Sequence, residues 1–562
     1  MTRSYFKKSI LTGATLVLIC FSSVAFAGKI FSVAKWERTE ITLKSSATYT
    51  NALQEAEVRA LFVSPLGETN RVYGFWDGGK TWKIRFKPTF PGRWKYFTMC
   101  SDTANGGLHG QSGEFDCTAA KSDSRFAQHG PLQVARDQKH LEHADRTPFL
   151  WLGDTAWLAA TKSTAAEWQS YSETRASQKF NVTTWRLQPS KPDTKNAAFN
   201  LQSNVKANLE KAREIDAKIQ TANRAGLLNA IAPLWEIGDT ASKPLSEDQT
   251  IVLMRYAVAR WGADDVAWVI AFECDNTGAQ AARWQRIGRA VFNVVTHAPV
   301  VLLPGESVWA LDGFRQERWA TIFGLQTTSA SDEASLPWLL NGPIATERKK
   351  TPLRPIITIN PPTEVETPNA LSHSINSDLS RRLMWWGLML NTPAGVNYAA
   401  KDVAEWNTST SADAETQPWR KAMALPGATS VGTAADFFVG KDFWRLESSG
   451  QLLATQPGFN SPLTHVSVAR TDDQGMTLVY TPQERAVSIR IETNRIAGKT
   501  VWFNPRTGDT RAAIGTGDNA NQRFETPSAG DWLLVISANA ENQNKQLAAR
   551  PKKTSGEIDK RR

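Results

Sequence analysis

The sequence predicts a multidomain protein in which a central (β/α)8 barrel, a TIM barrel, is flanked by N-terminal and C-terminal β-sandwich domains. Three observations lead to this fold class. The chain has 562 residues, which is too long for one ordinary hydrophobic core. In its middle, apolar segments alternate with helical periodicity, as in parallel strands joined by helices. Short strands of period two, separated by turn residues, occupy both flanks.

Composition and pattern divide the chain into five segments. Arg3, Lys7 and Lys8 precede an apolar run that ends in Ala-Phe-Ala, which is typical of a cleaved secretory signal peptide. The last segment is polar and basic and is expected to be disordered. The predicted segments are the signal peptide at 1–27, a β-sandwich at 28–125, the barrel at 126–434, a second sandwich at 435–539 and the tail at 540–562. The run at 77–96 in the first sandwich resembles an immunoglobulin-like β-sandwich.

The net charge and the N-terminal leader limit the expected binding partners and the expected cellular compartment of the protein. The formal net charge is +10, but the leader carries three of these charges and the tail a net four, which leaves about +3 for the folded body. No basic stripe crosses that body, so a nucleic-acid partner is not expected. The apolar run of the leader is too short to span a bilayer. We therefore expect export to the periplasm or the extracellular space, with no membrane insertion after cleavage. The sequence carries no pattern that sets an oligomeric state.

The N-terminal flank predicts an all-β domain. Alternating segments such as 82–86 and 94–98 are separated by turn signals, a spacing typical of a sandwich. Cys100 and Cys117 flank a turn-rich segment. In an oxidising compartment a disulfide across this loop is one open outcome, and two free thiols are the other.

The middle segment predicts eight strands and at least five helices, the size of a (β/α)8 barrel. The predicted strands are 149–154, 181–186, 227–234, 266–273, 300–303, 321–325, 355–359 and 395–398. The predicted helices are 164–179, 205–225, 246–260, 281–295 and 378–390. After about residue 435 the helical period gives way to short strands, which predicts the second sandwich.

Sequence motifs exclude several kinds of chemistry. The chain has no phosphate-binding or dinucleotide-binding glycine loop, no HExxH motif and no GxSxG elbow. The seven histidines do not cluster with cysteines. We therefore expect no metal and no cofactor.

Acids and aromatic residues follow the predicted strands, at the end where a parallel barrel carries its chemistry. Indole rings stack on sugar faces, and glycoside hydrolysis needs two carboxyl groups, so an oligo- or polysaccharide is the expected partner. Glu273 follows the apolar fourth strand, where desolvation raises the pKa of an acid. It is the candidate general acid/base, and Glu364, after the seventh strand, is the candidate nucleophile.

Seven further residues are predicted to bind substrate, and some have structural alternatives. For Asp154, capping of the next helix explains the residue as well as substrate binding does. For Trp157 and Trp185, packing in the core is the alternative. The set consists of Asp154, Trp157, Trp185, Arg186, Asp275, Gln326 and Asn360.

Several motifs resemble the apiosidase-like glycoside hydrolases. The run Pro-Phe-Leu-Trp-Leu-Gly-Asp-Thr-Ala-Trp at 148–157 is similar to the opening of that barrel. Phe-Trp-Arg-Leu at 443–446 and Trp-Phe-Asn-Pro-Arg-Thr-Gly at 502–508 resemble its C-terminal domain of collagen-binding type. The resemblance implies a secreted glycosidase acting on complex plant or algal polysaccharide, with an acid after strand 4 and a glutamate after strand 7.

The chain departs from the family pattern after strand 7. Where the family has Gly-Glu-Pro-x-Tyr-Glu, this chain has Ile-Asn-Pro-Pro-Thr-Glu at 359–364, so the first glutamate falls on Asn360 and the second on Glu364. An amide is no nucleophile. Three alternatives are open: Glu364 or the nearby Glu366 performs that role, the chemistry has diverged, or the barrel binds saccharide or matrix without cleaving it. Gln326 falls on a polar family position after strand 6.

Overall fold

The structure, a computed structural model, describes most of residues 31–538. The residues outside the description are 1–30, 122, 189–196, 202–204, 237–244, 273–277, 307, 343, 348, 369–373, 391–393, 410–416, 492–498, 519 and 539–562, and the side chains of 236 and 345. The predicted signal peptide and tail therefore lie outside the described residues. Within the described part, no helix is both long and apolar enough to cross a membrane.

The N-terminal domain is the predicted β-rich domain. Its sheet has the order β1-β7-β6-β3-β4-β5-β2 and folds over at β4 into two layers. Phe62 stacks on Phe86 between the layers, with ring centroids 3.9 Å apart. The elements are β1 (Ser32–Ala34), β2 (Thr39–Lys44), α1 (Ala52–Glu55), β3 (Val58–Val63), β4 (Thr69–Trp76), β5 (Thr81–Phe86), β6 (Gly92–Cys100) and β7 (Ser112–Thr118).

Cys100 and Cys117 are both free and buried. Cys117 pairs with Gly92 at the start of β6, whereas Cys100 is the last residue of that strand. Eight residues of extended chain, at about 3.3 Å each, separate the two positions, and a disulfide needs Cα atoms within about 7 Å. The structure therefore contains two free thiols at these positions and no disulfide between them.

A short helix and a small antiparallel sheet connect this domain to the barrel. They are α2 (Arg125–His129), β8 (Leu132–Val134), β9 (Leu141–His143) and β10 (Pro148–Phe149).

Eight parallel strands close into the predicted barrel. Each strand pairs with its neighbour around the barrel, in the order β11, β12, β15, β17, β18, β19, β20 and β21. The barrel closes because β21 pairs with β11. The strands in this part of the chain are β11 (Trp151–Thr155), β12 (Val182–Arg186), β13 (Phe199–Asn200), β14 (Lys206–Ala207), β15 (Leu228–Ala232), β16 (Trp235–Glu236), β17 (Val266–Phe272), β18 (Val300–Pro304), β19 (Ile322–Gln326), β20 (Ile356–Asn360) and β21 (Gly395–Tyr398).

Helices surround the barrel. Thr164 and Glu167 form a capping box at the start of α4, and Ser246 and Gln249 form one at the start of α6. The helices are α3 (Ala159–Lys162), α4 (Ala165–Ser177), α5 (Leu209–Arg224), α6 (Glu247–Trp261), α7 (Ala279–Phe292), α8 (Leu336–Asn341), α9 (Ile344–Glu347), α10 (Ser377–Leu390), α11 (Lys401–Ala404), α12 (Trp419–Ala422) and α13 (Pro426–Phe438).

Helix α13 extends beyond the predicted end of the barrel at residue 434. Its sequence is rich in Gly, Ala, Ser and Thr, so it carries little apolar periodicity of its own. Burial against α10 stabilises it instead.

The C-terminal domain is a second two-sheet β domain, as predicted. One sheet has the order β22-β23-β24-β30-β26-β27, and the other β25-β29-β28. The strands are β22 (Leu446–Ser448), β23 (Ser467–Thr471), β24 (Met476–Thr481), β25 (Ala486–Arg490), β26 (Thr500–Phe503), β27 (Thr510–Ala512), β28 (Thr516–Gly517), β29 (Asn521–Glu525) and β30 (Trp532–Ser537).

Buried ion pairs join both flanking domains to the barrel. Arg85 on β5 and Arg260 on α6 both bind Asp216 on α5, with N–O distances of 2.8 and 2.7 Å. Arg381 on α10 binds Asp531 of the C-terminal domain at 2.9 Å. Because these charges are removed from water, their pairing resists separation of the domains.

Candidate active site at the mouth of the barrel

The carboxyl ends of the strands form a mouth lined by aromatic and polar side chains. Trp157 follows β11, Arg186 ends β12 and Trp235 begins β16. Gln326 ends β19 and Asn360 ends β20. Four of these five residues, all but Trp235, were among the predicted substrate-binding residues, and the structure brings them to one end of the barrel.

Two indoles and a guanidinium make one side of the mouth. The rings of Trp157 and Trp235 meet edge to face with centroids 4.5 Å apart. The Arg186 guanidinium lies 5.4 Å from the Trp235 ring centroid. Burial lowers the pKa of Arg186 to about 10, so the group is charged at neutral pH. This side offers apolar ring surface next to a positive charge, which suits a polyhydroxylated ligand.

Asn360 reaches the mouth because β20 contains a bulge. Gly324 pairs with Ile357 and Leu325 with Thr358, but Gln326 pairs with Asn360, so Ile359 is an extra residue. An extra residue reverses the side to which the following side chains point. The Asn360 side-chain oxygen accepts a hydrogen bond from Trp157 Nε1 at 3.0 Å.

A polar layer inside the barrel holds this bulge. The Nδ2 atom of Asn397 lies 3.0 Å from the carbonyl oxygen of Ile359, and Thr155 donates to the same carbonyl at 2.8 Å. The Oδ1 atom of Asn397 accepts from Trp151 Nε1 at 2.8 Å. Gly153 leaves room for this layer, because a Cβ at that position would lie 2.0 Å from Asn397 Oδ1. The layer therefore supports the strand end that carries Asn360.

Two further polar side chains follow neighbouring strands. Gln326 is 7% exposed, and its Oε1 atom has no hydrogen-bond partner among the residues that the structure describes. Glu306, two residues after β18, accepts a hydrogen bond from the backbone N–H of Ser329 in the loop after β19. Together with Asn360 they form a polar side of the mouth along β18, β19 and β20.

Glu364 is not at the mouth, which corrects its assignment as the nucleophile. Its side chain is 1% exposed and accepts a hydrogen bond from the backbone N–H of Gly427, in the first turn of α13, at 3.2 Å. Tyr398 and Ser380 also face the carboxyl. Burial raises the pKa of Glu364. The carboxyl thus lies in the helical layer, where it holds the start of α13.

Glu366, the other candidate after strand 7, is on the surface. Its side chain is 61% exposed and pairs with Lys421 at 2.6 Å. Neither glutamate after β20 therefore stands beside Asn360.

Asp154 and Trp185 also face the helical layer, so their predicted contact with substrate is corrected. Asp154 is fully buried and accepts from Tyr171 Oη at 2.7 Å and from Arg175 Nε at 2.8 Å, both on α4. Trp185 is fully buried against Trp168. Side chains alternate along a strand, and both residues lie on the face turned to α4.

The two remaining predicted residues, Glu273 and Asp275, lie outside the described residues. The strand before them is described: β17 ends at Phe272, whose ring packs on Trp284 of α7 with centroids 5.3 Å apart. Asn397 was not among the predicted site residues. A polar residue within an otherwise apolar barrel strand could have indicated its position in the interior layer.

Three family models match the chain. The model described as "Apiosidase-like, catalytic domain" matches residues 135–445, more than half of the chain. "Domain of unknown function (DUF5060)" matches residues 32–101, and "Putative collagen-binding domain of a collagenase" matches residues 452–537. No curated protein matches the chain.

Solved structures share the fold at low sequence identity. A "putative glycoside hydrolase" from Bacteroides vulgatus ATCC 8482 is 17% identical with a TM-score of 0.66, covering 91% of this chain and 100% of that one. A glycoside hydrolase family 5 protein from the same organism is 18% identical with a TM-score of 0.62, covering 75% and 96%. A further structure described as "Glycoside hydrolase" is 18% identical with a TM-score of 0.63, covering 75% and 100%. At this identity the likeness concerns the fold alone.

Proposed function

The chain belongs to the apiosidase-like family, and from this premise we propose that it is an exported glycoside hydrolase cleaving a glycosidic bond in complex plant or algal polysaccharide. One observation carries the proposal: the cluster of Trp157, Trp235, Arg186 and Asn360 at the carboxyl ends of the barrel strands. That is the end at which (β/α)8 enzymes carry their chemistry.

In this proposal the mouth binds the sugar through ring surface and directed polar groups. The indoles of Trp157 and Trp235 supply apolar surface for a sugar face. In this proposal Arg186 donates to hydroxyl oxygens, and the Asn360 amide, whose oxygen accepts from Trp157, donates through its nitrogen. Asp275 follows strand 4 and joins this set as a proposed substrate contact.

Glu273 is proposed as the general acid. It directly follows Phe272, the last residue of the fully buried strand β17. A general acid protonates the leaving glycosidic oxygen while a second carboxylate acts on the other side of the anomeric carbon.

The proposal is tested by assaying sugar release from a glycan panel by wild type and Glu273→Gln. Loss of a general acid costs about 10²–10⁴ in rate. Glu366→Gln, which changes an exposed carboxylate paired with Lys421, is the matched control and should keep full activity. Activity of Glu273→Gln within about tenfold of wild type would contradict the assignment.

A non-catalytic saccharide-binding or matrix-binding barrel is the second candidate, and Asn360 favours it. Here an amide ends β20, where the family pattern has a glutamate. This candidate predicts glycan binding without turnover, lost in Trp235→Ala and unchanged in Glu273→Gln. Detectable hydrolysis by wild type would exclude it.

A further inference from the structure

We propose that a groove at the amino-terminal end of the barrel binds an acidic saccharide, an oligosaccharide built from uronic acid residues. The groove lies at the opposite end of the strands from the mouth, between the barrel and the segment that follows α13. Binding there requires no catalytic group, so the inference goes beyond the proposed hydrolase function and does not depend on it.

The walls of the groove come from segments that enter the barrel and from the chain that leaves it. Residues 148–150 precede β11, 179–181 precede β12, and Ala225 and Gly226 precede β15. Residues 438–444 line the other side, where the chain leaves α13 for the C-terminal domain. The groove has a volume of about 790 Å³, within the range of about 300–1,000 Å³ that small-ligand sites occupy.

Aromatic side chains line the groove. Phe149, Phe180 and Phe438 are buried and belong to its walls. Trp444 is only half-buried, and its ring meets that of Phe443 edge to face with centroids 5.4 Å apart. A half-buried indole keeps ring surface available to a ligand, and the CH face of a sugar packs on such a surface.

Two cations of the groove have no carboxylate partner among the residues that the structure describes. The Arg125 guanidinium lies 6.0 Å from the Phe149 ring centroid, and Lys441 Nζ donates to the carbonyl oxygen of Phe437. The pKa of both cations is lowered, because desolvation acts on them without an opposing carboxylate. A ligand carboxylate in the groove would compensate either charge through a charge-assisted hydrogen bond.

The acids that line the groove are already paired with cations. Asp436 forms an ion pair with Lys179, and Asp442 lies 3.8 Å from Arg445. Since Arg125 and Lys441 are not balanced in this way, the groove carries an excess of positive charge. Ring surface together with unbalanced positive charge favours an acidic saccharide over a neutral one.

The test measures binding of trigalacturonic acid by calorimetry, with its methyl ester as the uncharged probe of the same rings. Wild type should bind the acid at least about tenfold more tightly than the ester, and added salt should weaken binding of the acid. Arg125→Gln should weaken binding of the acid about tenfold or more, because it removes a charged donor. Trp444→Ala should weaken binding of both probes, because it removes ring surface.

Two variants separate this groove from other surfaces. Arg420→Gln changes an exposed arginine that lies 4.3 Å from the Trp419 ring centroid, outside the groove, and should bind as wild type does. Trp235→Ala removes ring surface at the mouth and should keep the binding that Arg125→Gln weakens. Thermal unfolding verifies that Trp444→Ala is folded, and the exposed change Arg125→Gln tests the proposal if it is not.

Three results would overturn the inference. Equal affinity of wild type for the acid and the ester would remove the role of charge, and no binding of the acid by wild type would remove the site. Loss of binding in Trp235→Ala with full binding in Arg125→Gln would place the ligand at the mouth. Sugar release from the glycan panel is a separate measurement, so absence of hydrolysis by wild type would contradict the proposed function and leave this inference standing.

Discussion

Trp157 Nε1 donates a hydrogen bond to Asn360 Oδ1 across 3.0 Å and so joins the end of β20 to the segment after β11. Both side chains are about nine-tenths buried. The bond orients an amide where the family pattern has an acid, and it holds the indole that meets Trp235. On this side the mouth therefore presents an amide and an indole, and the proposed function requires its carboxylates to come from other strands.

Asn360→Leu should destabilise the protein because it leaves the buried Trp157 N–H without an acceptor. Such a loss costs about 1–3 kcal/mol in the free energy of unfolding, measured by urea denaturation. Trp157→Phe removes the donor, so the double variant should cost less than the sum of the two single variants. If the effects of the two single variants are additive in the double variant, the hydrogen bond contributes nothing to the free energy of unfolding.

Gly153→Ala should destabilise the barrel, because its Cβ would lie 2.0 Å from Asn397 Oδ1. Overpacking of this kind lowers the free energy of unfolding by about 1–3 kcal/mol. Since Asn397 also holds the bulge before Asn360, we expect weaker saccharide binding in calorimetry. Gly106→Ala is the control, because no atom of the described residues lies within 4 Å of its added Cβ. Equal stabilities of the two variants would contradict the prediction.

Glu364→Gln should keep its activity within about threefold and should gain stability relative to wild type as pH rises. Burial raises the pKa of Glu364 above its usual 4.5, so folding favours the protonated form. The resulting contribution to stability is complete below about pH 4.5 and is lost as pH rises through the raised pKa. A glutamine stays neutral and still accepts from Gly427.

The measurement for Glu364 is urea denaturation of both proteins between about pH 4 and pH 8. Glu366→Gln, an exposed change two residues along, should differ from wild type by no more than about 0.5 kcal/mol. A large activity loss in Glu364→Gln with unchanged stability would restore the residue as a catalytic candidate.

Arg175→Met should lower the free energy of unfolding by about 3–5 kcal/mol, because it leaves the Asp154 carboxylate buried without its ion-pair partner. Both side chains of this pair are fully buried, with an N–O distance of 2.8 Å. Replacing both residues, as Asp154→Leu with Arg175→Met, should cost less than Arg175→Met alone. Denaturant unfolding tests this order, and the reverse order would contradict a structural role for the pair.

Reducing agent should leave the melting temperature unchanged, because Cys100 at the end of β6 and Cys117 on β7, beside the start of β6, are free thiols. Burial raises the pKa of Cys117 to about 11 and also raises that of Cys100, so neither is a thiolate at neutral pH. Alkylation should label both residues only after unfolding. A linked peptide in a non-reducing mass map would show a disulfide instead.

The sequence by itself determined the architecture and the family, and both predictions are confirmed. Strand and helix periods are local properties, so the eight barrel strands could be located to within about two residues. The mouth residues Trp157, Arg186, Gln326 and Asn360 could also be proposed, because they directly follow or end predicted strands.

Only the tertiary structure decided which way side chains face at those strand ends. A single extra residue, Ile359, turns Asn360 inward, and Glu364 lies in the helical layer at the start of α13. Asp154 pairs with Arg175 on α4 although its neighbours Gly153 and Thr155 border the interior layer around Asn397. A one-residue change of register reverses the face of a side chain without altering the apolar pattern, so the catalytic assignment depended on packing that the sequence pattern does not encode.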